Sequence, residues 1–352
     1  MPGTFSEKLK RARSNAGMSM DDLAELLDLS KQSVYKYEKN LLTPNPEALN
    51  KIARILNVTI NDLFDNTRKE RLQNISFRSG VEEAMIKLSQ IEDEIIDEIE
   101  LLTELERLSK DTIEFVNPLT KEFQISKIGD VEKAAEKLRE KWNLGEIPIA
   151  NVVEVIETRG ICVIQKYSFY QFDGFSAFYK QRPIIVLNTR TEEITRRRFT
   201  SLHELGHIIL GSLVTEKMQE RIEEICNVFA GALLLPAKVL RKFWEGRKSF
   251  LMHDFIHIKE SFGISIQAIW SRAISLSLLS WDTYHKWKDA YEVQTNYGNF
   301  NGNETPKRIE SLIFRCISAG KLTTEKALAK AKKLKNNLDK TIMLNMEYNL
   351  TT

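Results

Sequence analysis

The apolar positions change their rhythm twice along the chain. Over residues 5–64 they come in short helical bursts between turn signals, which predicts five helices: Phe5 to Asn15, Met20 to Leu27, Lys31 to Lys39, Pro46 to Leu56 and Ile60 to Phe64. Ser19 and Ser30 precede the second and third of these, where a hydroxyl can accept from an otherwise unpaired helix N–H. Only the turn at Asp28-Leu29 separates those two helices, the tight spacing of a helix-turn-helix. The rhythm then lengthens. Met85, Leu88, Ile91, Ile95, Ile99, Leu102 and Leu105 recur every three or four positions, predicting one helix with a buried stripe. Its remaining positions hold ten acids between Glu82 and Glu106 against the single base Lys87, which reads as a solvated acidic back on a packing or dimerising helix.

From about residue 129 the pattern mixes periods. Asp130 to Trp142, Ile149 to Thr158, Thr195 to Leu210 and Met218 to Leu235 are helical, the last stopped by Pro236. Ile161 to Gln165 and Pro183 to Asn188 are short β-branched runs and predict strands. Beyond 250 the chain is mostly helical again. Between Lys321 and Lys340 seven lysines (321, 326, 330, 332, 333, 335, 340) face Glu325 and Asp339, the mark of a solvated helix face. The predicted fold is therefore multi-domain and mainly α. It comprises a five-helix helix-turn-helix domain over 1–66, a helical acidic connector over 67–128, an α+β domain with a small β-sheet over 129–290, and a C-terminal helical region over 291–352.

Composition narrows the class. With 42% hydrophobic and 28% charged residues the chain reads as soluble and globular. No stretch approaches the roughly 18 consecutive apolar residues of a membrane span, and Met1 to Lys10 lacks the apolar core of a secretion signal. A cytoplasmic protein is the expectation. Cys162, Cys226 and Cys316 lie far apart without a Cys-x-x-Cys pair, so they read as reduced thiols. The net charge of +2 points to no partner, and nucleic-acid binding has to be argued locally.

The chemistry concentrates at His203-Glu204-Leu205-Gly206-His207. Histidines four apart share a helix face, so both imidazoles can reach one Zn²⁺. Glu204, one residue past the first ligand, suits a general base acting on a water that such a metal acidifies. Gly206 costs about 1 kcal/mol in a helix interior and is better explained by a close neighbour. A catalytic zinc takes three protein ligands. The helix containing Glu223, Glu224 and Asn227 can supply the third, with Glu223 preferred and Glu224 the alternative. Mn²⁺ or Fe²⁺ would suit the same donors. His253 and His257 are also four apart but lack the adjacent glutamate, so packing or surface positions suit them better. A donor for the developing oxyanion stays open among His253, His257, Tyr284 and His285.

These residues carry a resemblance. Arg197 to His207, Glu223-x-x-Cys226-Asn227-x-Phe229-Ala230 with Leu234-Leu235-Pro236, Gly174-Phe175-Ser176 and Pro183 to Asn188 resemble the ImmA/IrrE metallopeptidase family over roughly 130–285. The resemblance implies a minimal thermolysin-like (zincin) fold, zinc on His203, His207 and Glu223, Glu204 as catalytic base, and a repressor-like protein substrate. Cys226 departs from it, since alanine is more usual there. Residues 1–66 resemble the repressor-type (XRE, Cro/C1-like) helix-turn-helix family through Leu23-Ala24, Ser30-x-Gln32-Ser33-Val34-x-x-Tyr37-Glu38 and Pro46 to Leu63. That implies a double-stranded DNA operator as partner. Lys31, Gln32 and Lys36 would face base edges, Ser33 and Asn40 would face phosphates, and Arg13 and Glu38 would form a buried pair. Residues 1–65 hold nine bases (8, 10, 11, 13, 31, 36, 39, 51, 54) and nine acids (7, 21, 22, 25, 28, 38, 47, 62, 65). Non-specific affinity is then weak, and a homodimer on two half-sites would supply what is missing. The expected function is a DNA-binding regulator fused to a zinc endopeptidase. The alternative is an antitoxin-like, or metal- or partner-sensing, repressor that cuts little.

Overall fold

The computed structural model describes residues 5–56, 58–64, 71–77, 81–120, 123–167, 172–190, 193–247, 249–292, 297–334 and 340–343. The chain divides into two compact units, Met1–Glu70 and Arg71–Thr352.

The first unit is α1 (Phe5–Asn15), α2 (Met20–Leu26), α3 (Lys31–Glu38), α4 (Pro46–Ile55) and α5 (Ile60–Phe64). Three of the starts have a local cause. The Ser19 hydroxyl accepts from the Asp22 N–H at 3.1 Å while the Asp22 carboxylate accepts from the Ser19 N–H at 2.7 Å, a reciprocal capping box. Ser30 accepts from the Ser33 N–H, and Asn45 caps α4 ahead of Pro46 at its first turn. Asp28 ends α2 in the left-handed region at φ 56°, which turns the chain sharply into α3. Leu9, Leu23, Val34, Ile52 and Leu63 fill the core. Arg13 donates to both Glu38 oxygens at 2.6 and 3.1 Å and to the Met18 carbonyl, fastening α1 to the end of α3. This is the buried pair that the repressor resemblance implies.

The second unit opens with β1 (Gln73–Phe77), α6 (Val81–Ser109), α7 (Ile128–Lys141), α8 (Val152–Glu157), β2 (Cys162–Lys166), β3 (Gly174–Tyr179), β4 (Arg182–Asn188) and α9 (Ile194–Leu210). A 3₁₀ turn, Glu216–Arg221, precedes α10 (Ile222–Leu234) and α11 (Ala237–Trp244). There follow α12 (Met252–Phe262), α13 (Ile266–Ser275), α14 (Trp281–Glu292), α15 (Arg308–Ser318) and α16 (Thr324–Lys333).

The strands form one sheet in the order β1-β3-β4-β2. β2 runs parallel to β4, whereas β3 is antiparallel to both of its neighbours. Both faces are covered, which is why β2 and β4 read as continuous apolar runs. Val163, Ile185 and Leu187 face a core shared with α7, α9, α10, α12 and α13. Cys162, Ile164, Phe175, Ala177, Ile184 and Val186 face the other way, onto Ile95, Ile96, Ile99, Leu102 and Leu105 of α6 and Leu312, Ile313 and Cys316 of α15. The segment read as a connector and the C-terminal helices thus form the second covering layer of the sheet.

That packing corrects the reading of α6. Among the acids expected on a solvated back, Glu92, Glu98 and Glu106 are buried. Glu92 accepts from Arg71 and the Leu72 N–H, Glu98 lies 3.0 Å from Lys166, and Arg182 grips both oxygens of Glu106 at 2.8 Å. Basic residues at the ends of the sheet strands need anionic partners once a helix seals them from water, and a charge count along one helix cannot reveal them. In the stripe of α6 the side chains of Met85 and Leu88 lie outside the described residues, as does Lys335 of the basic tail. Within that tail Ala327 and Ala331 are buried, and Lys330 meets Glu104 at 2.6 Å.

Candidate metal centre

α9 packs along α10, and the contact depends on a missing side chain. A Cβ on Gly206 would stand 3.1 Å from the Sγ, 3.2 Å from the Cβ and 3.3 Å from the Cα of Cys226. A methyl there would be tighter than ordinary packing and would press Cys226 away, which accounts for the helix-interior glycine. The 3₁₀ turn starts α10 at Ile222, so Glu223 falls in its first turn, facing the histidines of α9.

His203, His207 and Glu223 converge, each offering one ligand atom within 4.8 Å of the others. His203 Nε2 lies 3.2 Å from His207 Nε2 and 3.3 Å from Glu223 Oε2, and His207 Nε2 lies 3.2 Å from Glu223 Oε1. His203 is buried and Glu223 is 41% exposed at its side chain, so the cluster opens to solvent on the α10 side. Glu224 pairs instead with Arg221 at 2.7 Å on the surface.

The donor set suits a divalent cation. His203 Nδ1 meets Asn227 Oδ1 at 2.9 Å, so this nitrogen carries the proton and Nε2 presents a lone pair to the cluster. Two such nitrogens and a carboxylate, packed this closely, repel one another unless a proton or a cation lies among them. Glu223 Oε2 is buried and makes no hydrogen bond, so it too is left facing the cluster. Two nitrogens and one carboxylate form the ligand set of open catalytic zinc sites.

Glu204 is 1% exposed, and burial pushes its carboxyl above its ordinary value, against the opposing pull of His203, His207 and a hydrogen bond from Ser176. Its Oε2 has no hydrogen-bond partner. Ser176 comes from β3, which presses on α9: a Cβ on Gly174 would meet Thr200 Cγ2 at 2.8 Å. Sequence reasoning gave no role to Ser176 or to Asn227 as partner of His203. The spacing of Glu223 and Asn227, one turn apart, was the available signal for Asn227. Ser176 was marked only by its place in Gly174-Phe175-Ser176, which carried the family resemblance without a role for the hydroxyl.

The other histidines lie elsewhere. His253 and His257 are exposed on α12. Tyr284 packs edge-on against Trp270 and Trp281, and His285 lies against Trp281, so these two join an aromatic cluster on α13 and α14.

In the first unit α3 presents Lys31, Gln32 and Lys36 to solvent, with Tyr35, 46% exposed, between them. Lys31 is already engaged by Asp21 at 2.6 Å, whereas Ser33 is half-buried against the Ser30 hydroxyl at 2.9 Å. Asn40 is exposed in the left-handed region at φ 56°. Tyr35 went unremarked in the sequence because an aromatic at helical spacing usually faces a core.

Comparison with known proteins separates the same two parts. Residues 158–273 match the family profile of the IrrE N-terminal-like domain, peptidase family M78, and residues 9–63 match that of the helix-turn-helix. The chain is 32% identical over 80 residues to the radiation response metalloprotease IrrE of Deinococcus radiodurans, covering 20% of this chain and 24% of that protein. It is 31% identical over 77 residues to the HTH-type transcriptional activator BcrR of Enterococcus faecalis, covering 22% of this chain and 38% of BcrR. It is 32% identical over 66 residues to the SPbeta prophage-derived HTH-type transcriptional regulator YonR of Bacillus subtilis, covering 19% of this chain and 61% of YonR. The chain thus spans about a quarter of the length of IrrE. It joins a helix-turn-helix domain of the transcription-regulator type to an IrrE-like metallopeptidase-family domain, and no described helix is long and apolar enough to cross a membrane.

Proposed function

We propose that this chain is a DNA-binding regulator carrying a metal-dependent endopeptidase centre that cuts a repressor-like regulatory protein. The observation that carries the reading is the convergence of His203, His207 and Glu223 from two helices beside a buried, unpartnered Glu204 oxygen. Those three residues hold the cation and Glu204 stays off it. A divalent cation bound there polarises a peptide carbonyl and acidifies water. Asn227 keeps the Nδ1 proton on His203, so that its Nε2 stays a ligand. Glu204, its acidity weakened by burial, takes a proton on Oε2 and returns it to the leaving amine nitrogen, with Ser176 steadying the carboxylate. Zinc is the metal we assign, with manganese or iron able to use the same donors. Gln32 and Lys36 on α3 are the groups proposed to read an operator, with Lys31 joining them once it leaves Asp21 and with Ser33 and Asn40 at phosphates.

The test is metal content together with cleavage. Purified chain retains about one zinc and His203→Ala loses it. The zinc-loaded chain cuts a helix-turn-helix repressor into discrete fragments on mass spectrometry, and Glu204→Gln keeps the metal while losing about 10²–10⁴-fold in rate. Unchanged metal in His203→Ala, or full activity in Glu204→Gln, overturns the reading.

A further inference from the structure

β3 is the strand nearest the candidate centre. Its Ser176 hydroxyl bonds the Glu204 carboxylate, and Gly174 lets its backbone press against Thr200 of α9. One edge of β3 is paired with β4 from Gly174↔Leu187 to Tyr179↔Arg182. The other edge is where a polypeptide entering in extended form would find free main-chain groups beside Glu204. In this chain that edge is taken. β1 lies on it antiparallel, with Gln73 opposite Phe178, Ser76 opposite Ser176 and Phe77 opposite Phe175. Directly opposed residues point to the same face, so Ser76 stands next to the serine that touches Glu204.

The hold of β1 is slight. It has five residues, pairs on one side only, and its register breaks between Gln73 and Ser76, where Asn74 sits at φ 50°. A non-glycine residue in that region is strained. Its anchors are few: Leu72 is buried in the core beneath α6, its N–H donates to Glu92 at 2.9 Å, Arg71 meets Glu92 at 2.8 Å, and Ile75 is half-buried against the same core. The next covalent stretch toward the N-terminus is the DNA-binding unit, which ends at Glu70.

We infer that residues 71–77 are a built-in strap occupying the substrate edge of β3, and that an extended polypeptide pairs there only when the strap peels away. The consequence for catalysis rests on the hydrolase reading, but strap release is measurable without it.

The probe is a fluorescein-labelled synthetic peptide of residues 71–77, added to the full chain and followed by anisotropy. Ser76→Pro places a residue that strands tolerate poorly in the paired part of β1, opposite Ser176, and so loosens the strap. Gln73→Cys with Phe178→Cys locks it when oxidised, and the three native cysteines are buried. Ser76→Pro is expected to bind the peptide roughly tenfold or more tightly than wild type, with faster amide exchange over 174–179 that the peptide reverses. The oxidised pair binds none until reduced. Equal affinity in wild type, Ser76→Pro and the oxidised pair overturns the strap, as does a peptide footprint away from β3. Should Ser76→Pro fail to fold, the oxidised and reduced double-cysteine chain decides alone: affinity indifferent to oxidation sinks the inference, and release on reduction sustains it. The same zinc-loaded proteins are given labelled casein. Faster cleavage by the loosened chain than by the oxidised one supports the strap as a gate, whereas binding that follows the strap with no cleavage in any form fails the hydrolase reading and leaves the strap standing.

Discussion

Replacing Arg198 by methionine should cost the second unit about 3–5 kcal/mol, the penalty of leaving a buried partner charge unpaired. Arg198 is fully buried on α9, five residues before His203. Its guanidinium pairs with the equally buried Glu304 and donates to the carbonyls of Ile149 at 2.6 Å, Gly263 at 3.1 Å, and Ala150 and Phe262 at 3.3 Å, with the Phe300 ring stacked 4.7 Å away. Glu304 in turn accepts from the N–H groups of Val152 and Val153 at the start of α8. Methionine fills part of the volume but leaves the Glu304 charge and four carbonyls without their donor. Glu304→Gln keeps an acceptor for α8 and leaves Arg198 on its carbonyls, so it should cost less, about 1–3 kcal/mol. The two changes share one network, so the double variant should lose less than the sum. All five tryptophans (142, 244, 270, 281, 287) lie in the second unit, so urea unfolding followed by tryptophan fluorescence reads this unit alone. A cost below about 1 kcal/mol for Arg198→Met, or strict additivity in the double variant, would refute the argument that this pair ties α9 to the C-terminal segment.

Three further outcomes follow from the same structure. Asn227→Ala should weaken zinc binding about 10–100-fold in competition with a chromogenic chelator, because His203 loses the group that fixes its proton; unchanged affinity removes that role. Burial raises the Glu157 carboxyl from 4.5 to about 7 even though it accepts from the N–H groups of Lys307 and Arg308. A carboxyl raised on folding favours the folded state below its unfolded value and loses that advantage as pH climbs through about 7, so Glu157→Gln should gain on wild type by up to about 3 kcal/mol between pH 4.5 and 8. Parallel stability curves across that window would show the carboxyl titrating normally. Gln32→Ala with Lys36→Ala should weaken binding to duplexes selected by the wild-type chain by about 10²-fold at fixed salt while zinc content stays the same, and footprints that survive would place the reading surface elsewhere.

The five helices of the first unit were legible almost to the residue because turn signals separate them and three, α2, α3 and α4, begin with a side chain that caps its own backbone. Such signals are local. The pair on α9 was legible for the same reason, since four residues of one helix suffice to align two imidazoles. What escaped was long-range pairing. Gln-Asn-Ile-Ser-Phe alternates over only its last four residues and has no β-branched run, so its pairing with β3 is what makes it a strand. The acids of α6 look solvated in a list and become buried partners only when Lys166 and Arg182 arrive from strands more than sixty residues away.

The candidate centre lies between these cases, and Gly206 shows how. A ligand set spanning two helices cannot be read from either one, because the gap between them is set by packing. Here that gap left a trace: a glycine that helix propensity disfavours, on the face where an added Cβ would meet Cys226 at 3.1–3.3 Å. The close approach of the second helix was therefore inferable, though through a glycine in the first helix rather than through any feature of Glu223, whose neighbour Glu224 has the same chemistry. The 3₁₀ turn decides between them. By delaying the start of α10 to Ile222 it aims Glu223 at the imidazoles and sends Glu224 outward to Arg221.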